Sequence, residues 1–116
     1  MTMVGKFTEI ETGVWAYSSD CGPTSGLIIG DDIAMVVDGQ ADAALADDFA
    51  ARISAVTDRP VAYVVVSHYH ASRWINLDRF PGASLITTRK CRSSILHRAS
   101  FEARAAAMRE PDMYPE

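Results

Sequence analysis

Val61-Ala62-Tyr63-Val64-Val65-Val66-Ser67-His68-Tyr69-His70-Ala71-Ser72-Arg73 is the stretch on which the reading of this chain turns. It starts as a continuous apolar run, the pattern of a strand covered on both faces of a sheet. It ends in two of the chain's three histidines, two residues apart. On extended chain, side chains at i and i+2 point the same way, so His68 and His70 are expected to turn their imidazoles toward one point. Two nitrogen donors so placed are the beginning of a site for a divalent metal such as zinc. The positions that follow, Ser72 and Arg73, do not continue it: a serine hydroxyl is a weak neutral ligand and a guanidinium cannot ligate.

Outward from this stretch, strands and helices alternate. Toward the N-terminus, Phe7–Ile10 and Val14–Tyr17 flank Glu11-Thr12-Gly13 as a hairpin. Ser18–Ser25 is a loop broken by Gly22-Pro23. Gly26–Ile29 and Ile33–Val37 form a second hairpin around Gly30-Asp31-Asp32, ending at Asp38. In residues 42–57 the period changes: Leu45, Phe49, Ile53 and Val56 fall on one helical face, Asp42 is placed to cap it, and Asp47 and Asp48 fall on its polar side. Arg59-Pro60 ends that helix. Beyond the histidines, Asn76–Phe80 is a short helical turn, Ser84–Thr87 a short strand, and Thr88 to about Arg109 an Ala/Arg-rich helix. The order predicts an α/β fold: a mixed sheet from N-terminal hairpins followed by a βαβ unit, with helices on at least one face. A right-handed crossover through the 42–57 helix brings the ends of Ile33–Val37 and Val61–Val66 to one edge, which places Asp38 near His68 and His70. A carboxylate beside two imidazoles is a recurrent arrangement in metal sites, where it orients a ring through its distal N–H.

The bulk properties exclude several classes. At 116 residues the chain is expected to be a single domain. No apolar run has membrane-spanning length, and the start lacks a signal-type apolar core, so no membrane partner is expected. Cys21 and Cys91 have no zinc-type spacing and read as free thiols of a reducing, cytoplasmic compartment. Residues 1–70 hold 3 Lys/Arg against 10 Asp/Glu, whereas residues 71–116 hold 8 against 5. The halves therefore attract each other, or attract a second copy, and an acidic whole argues against nucleic acid. The basic residues after Thr88 read as a solvated helix face.

Taken together, Gly26-Leu27-Ile28-Ile29-Gly30-Asp31-Asp32, then Met35-Val36-Val37-Asp38, a helix, and Pro60 through His70 resemble the N-terminal half of the metallo-β-lactamase-fold hydrolases, over roughly residues 7–90. The family's marker after this strand is HxHxDH. Here it reads His68-Tyr69-His70-Ala71-Ser72-Arg73. The resemblance implies that His68 and His70 hold the first zinc, that Asp38 is the supporting acid, and that the altered positions Ser72 and Arg73 belong to the second metal. Arg73 is then a candidate electrostatic substitute for that metal, with a fork for a carboxylate or phosphate on a small-molecule substrate. The alternative is that Arg73 points to solvent or pairs with an acid.

The family's fold is an αββα sandwich of two similar halves, so this chain is expected to be half of one, a single incomplete domain over 1–116 with residues 111–116 a flexible tail. The remaining ligands would come from a complementary C-terminal half or another copy in a homo-oligomer; His97, on the Ala/Arg helix, is not expected to be one. A lone half leaves one sheet face uncovered. Other chemistries are weakly supported. Ser67 is His68's neighbour but sits in no G-x-S-x-G elbow. Cys91, although flanked by Arg89, Lys90 and Arg92, has no assigned base. Trp15, Tyr17 and Trp74 read as packing residues. Two functions follow: a metal-dependent hydrolase completed outside this chain, or a non-catalytic relative that keeps the fold for association.

Overall fold

The computed structural model describes residues 5–97 apart from residue 21. Six strands lie in one sheet in sequence order: β1 (Lys6–Glu11), β2 (Val14–Ser18), β3 (Ser25–Ile29), β4 (Ala34–Val37), β5 (Val61–Val65) and β6 (Ser84–Ile86). The first three pairings are antiparallel and the last two parallel, giving the mixed α/β sheet expected from hairpins followed by a βαβ unit. The first hairpin closes at Gly13, whose φ of 76° lies in the left-handed region where glycine costs least.

Helix α1 (Ala43–Val56) forms where the apolar spacing predicts it. Asp42 caps it, its Oδ1 accepting from the backbone N–H groups of Ala44 and Leu45 at 2.8 and 3.1 Å. These satisfy two of the donors that a helix start leaves orphaned. Thr57 ends the helix, ahead of Pro60. Leu45, Phe49 and Ile53 are buried as their spacing requires, while Val56, at the last turn, is 37% exposed. Residues 89–97 are helical, α2, and carry Cys91 and Ile95 into the same core. The Ala/Arg helix beyond residue 97 and the 111–116 tail lie outside the described residues.

Period-2 alternation decides which side of the sheet is covered. Tyr17, Leu27, Val36 and Val64 face α1 and are essentially inaccessible. Phe7 stacks on Trp15 with ring centroids 4.6 Å apart, Tyr17 meets Phe49 at 4.9 Å, and Phe49 meets the edge of Phe80 at 6.1 Å. Burying each such side chain stabilises the fold by about 1.5–3 kcal/mol. The opposite face carries Ile28, Tyr63 and Ile86, all about two-fifths exposed. The expectation that Val61–Ser67 is covered on both faces is therefore not met. Its apolar run is real, but among the described residues both helices pack against one side only.

One polar cluster on the core side escaped the periodicity reading, which put Asp48 on the solvent face of α1. Asp48 instead reaches back to the chain's start. It accepts from the Tyr17 hydroxyl at 2.7 Å and the Gly5 N–H at 3.1 Å, and pairs with Arg52, which also donates to the Gly5 carbonyl. Burial disfavours the charged carboxylate, but the Tyr17 and Gly5 hydrogen bonds and the Arg52 cation outweigh it, so its pKa is lowered. Burial, and then Asp48 itself, push the Tyr17 phenol upward.

The signs give two limits. A depressed carboxylate pKa contributes stability above its unfolded value of about 3.9, lost as pH falls through the folded value. A raised phenol pKa contributes stability that is full below about pH 10 and is lost as pH rises through the folded value. Denaturant titration across pH should show stability falling at both extremes, with the acid limb flattened in Asp48→Asn. At the N-cap of the same helix, Asp42→Ala should cost about 1 kcal/mol in the same assay, without a change in m-value.

Candidate metal centre

Parallel pairing of β4 with β5 places the ends of both strands at one sheet edge. The Asp38 N–H donates to the Val65 carbonyl at 2.8 Å, extending the ladder by one residue. There the chain turns: Asp38 has φ of 61°, left-handed for a residue with a side chain. Asp tolerates this region better than most residues, yet it still costs of order 1–2 kcal/mol and persists only where the surroundings fix it. They do so here. Asp38 is buried, and its carboxylate accepts from the Ser67 N–H at 2.8 Å through Oδ1 and from the Ser67 hydroxyl at 2.6 Å through Oδ2.

The histidines follow directly. His68 Nδ1 lies 2.9 Å from Ser67 Oγ, and its Nε2 lies 3.1 Å from Nδ1 of His70. The rings meet edge-to-face with centroids 4.4 Å apart. They do not converge by strand alternation as expected, because β5 ends at Val65 and residues 68–69 are bends. The loop itself brings them together. Arg73 N–H donates to the His70 carbonyl, Trp74 Nε1–H donates to the Tyr69 carbonyl, and Gly39 N–H donates to the Arg73 carbonyl, all at 2.8–2.9 Å. That last contact requires glycine: a Cβ at residue 39 would lie 2.9 Å from Leu77 Cδ2 and 3.1 Å from the Arg73 oxygen. Asn76 ties the same loop to the start of α1 by donating to the carbonyls of Gln40 and Ala41.

All four residues singled out from the sequence thus lie in one neighbourhood, Asp38, His68, His70 and Arg73. Asp38 reaches the imidazoles through Ser67 rather than directly. Arg73 pairs with an acid: its Nε is 3.7 Å from Asp38 Oδ2, and that Nε is buried without a hydrogen-bond partner among the described residues. The residue between the acid and the imidazoles is Ser67, which the sequence analysis had set aside for want of a nucleophile elbow. Its signal was its place immediately before the first histidine, in the register that faces the end of β4.

The donor pair fits a metal in part. Two nitrogens on one tetrahedral ion, with bonds of about 2.0–2.1 Å, stand about 3.4 Å apart. The 3.1 Å separation is close to that. Among the described residues, however, no group of three or more His, Cys, Asp or Glu is arranged to hold a metal ion. His97 is exposed on α2, and Cys91 is a buried free thiol beneath the sheet. A concavity of about 680 Å³ lies at the far end of the sheet between Gly30 and Arg59, away from the histidines. Its lining holds no histidine or cysteine. Among the described residues no helix is long and apolar enough to cross a membrane.

No family model and no curated protein matches this chain in sequence. Solved structures do match in shape. A metallo-β-lactamase from Hirschia baltica superposes with a TM-score of 0.70 at 17% identity, covering 83% of this chain and 48% of its own. One from Pseudomonas aeruginosa, solved in a mono-zinc form, gives 0.67 at 16% identity, covering 83% and 47%. One from Erythrobacter litoralis gives 0.64 at 22% identity, covering 82% and 46%. The chain spans about half the length of these structures, and at such identities the likeness concerns the fold: an α/β half-sandwich corresponding to the N-terminal half of the metallo-β-lactamase fold.

Proposed function

We propose that this chain is the metal-anchoring half of a metal-dependent hydrolase. The observation that carries the reading is the 3.1 Å approach of His68 Nε2 to His70 Nδ1 at the ends of parallel strands, backed by Asp38. His68 and His70 would hold one divalent ion, zinc by the nature of the donors, with the remaining ligands supplied from outside the described residues. Bound there, such an ion supplies a water made nucleophilic near neutral pH and polarises the oxygen of a scissile carbonyl or phosphoryl group. Asp38 keeps the His68 side of the site in place. Arg73, held beside Asp38, adds a fixed positive charge that suits a small substrate bearing a carboxylate or phosphate.

The open sheet face supports the second element of the proposal, that the site is completed by association. Ile10, Val14, Ala16, Ile28 and Val37 line an apolar depression of about 340 Å³ on that side. A complementary C-terminal half would cover it, and a second copy in a homo-oligomer is the other candidate. A cytoplasmic location goes with this reading and rests on the two unpaired-looking cysteine positions. The second function, a non-catalytic association module, is favoured by one observation: the described residues contribute two metal ligands where zinc needs at least three.

Zinc titration against a chromophoric chelator separates the two. The hydrolase reading expects the chain to bind about one equivalent, with His70→Ala weakening binding by about 100-fold or more. Undetectable binding to the wild-type chain, or an unchanged affinity in His70→Ala, overturns it for this chain acting on its own.

A further inference from the structure

The contacts around Ser67 form a continuous chain: Asp38 Oδ2 to Ser67 Oγ at 2.6 Å, Ser67 Oγ to His68 Nδ1 at 2.9 Å, His68 Nε2 to His70 Nδ1 at 3.1 Å. Proton counting gives this chain a direction. A carboxylate only accepts, so the single Ser67 hydroxyl proton goes to Asp38. With that proton committed, Ser67 Oγ can only accept from His68, and Nδ1 must carry a hydrogen. The reverse arrangement would leave two oxygens 2.6 Å apart with no proton between them. A neutral imidazole carries one N–H, so Nε2 of His68 presents a lone pair toward His70. In the metal-free pair, His70 Nδ1 is then the donor to that lone pair.

We propose that Ser67 is the positioning residue of this site. Its hydroxyl relays the Asp38 carboxylate to His68 and holds that imidazole in the Nδ1–H form, with Nε2 ready for a cation. Both Asp38 oxygens engage Ser67, Oδ1 through its N–H and Oδ2 through its hydroxyl, with Arg73 Nε a further 3.7 Å from Oδ2. The serine is therefore fixed from both its backbone and its side chain. His68 is set in advance, whereas His70 must move its proton from Nδ1 to Nε2 before Nδ1 can ligate. The link to zinc rests on the proposed function; the tautomer itself does not.

Two-bond ¹H–¹⁵N spectra of histidine-labelled protein, metal-free and at a pH where both rings are neutral, read this directly. Wild type should show His68 as Nδ1–H. Ser67→Ala should move it toward Nε2–H, and Ser67→Thr, which restores a hydroxyl, should keep the wild-type pattern. A His68 Nε2–H signature in wild type overturns the proposal, as does an Nδ1–H form that survives in Ser67→Ala. Where zinc binds, Ser67→Ala should weaken it about 10–100-fold, with Ser67→Thr close to wild type. Absence of zinc binding would count against the hydrolase reading and leave the tautomer result standing.

Discussion

The parallel pairing of β4 with β5 is the constraint on which the site depends. It ends with the Asp38 N–H on the Val65 carbonyl and the Asp38 carboxylate on Ser67. Each contact is modest alone, about 1 kcal/mol net for an ordinary hydrogen bond and more where a charge takes part. Together they hold Asp38 at a φ it would not choose, and that turn lets the chain leave β4 for α1 while its carboxylate points back at β5. Breaking the pairing would release the strain, the start of α1 and the histidine loop together.

What surrounds this edge is arranged to keep it stiff. α1 covers one face with Leu45, Phe49 and Ile53, and α2 adds Cys91 and Ile95. The Gly39–Arg73 contact and the Asn76 hydrogen bonds lash the histidine loop to the β4–α1 connection. A binding constellation gains most when its supporting groups are locked before the ligand arrives. The far face differs: its alternating apolar residues are ordered in the sheet but, among the described residues, neither helix covers them.

Arg73 joins the two themes. Its side chain lies against Asp38 at ion-pair rather than hydrogen-bond distance, with Nε buried and unpartnered among the described residues. At that distance one carboxylate balances the guanidinium charge only in part.

Much of the fold was legible because it rests on local rules. The 4-4-3 spacing of Leu45, Phe49, Ile53 and Val56 dictates a helix, Asp42 its start, and the alternating or continuous apolar runs the strands. The neighbourhood of Asp38, His68, His70 and Arg73 was legible too, because a βαβ crossover brings strand ends to one edge. Three things were decided only in three dimensions. Whether Val61–Ser67 is covered on both faces depends on which elements pack where, and no strand's own pattern reports that. Asp48 looked like a solvent residue by period, but a Tyr17 hydroxyl and a free backbone N–H lay within its reach. The histidines converge through a loop rather than a strand, and the acid reaches them through Ser67, because hydrogen-bond geometry near 3 Å depends on side-chain placement that residue order does not encode. Residue order determined that Asp38, His68, His70 and Arg73 share one edge, because strand pairing fixes where strand ends lie; tertiary structure decided which groups touch and brought Ser67 between them, because contacts near 3 Å depend on side-chain placement.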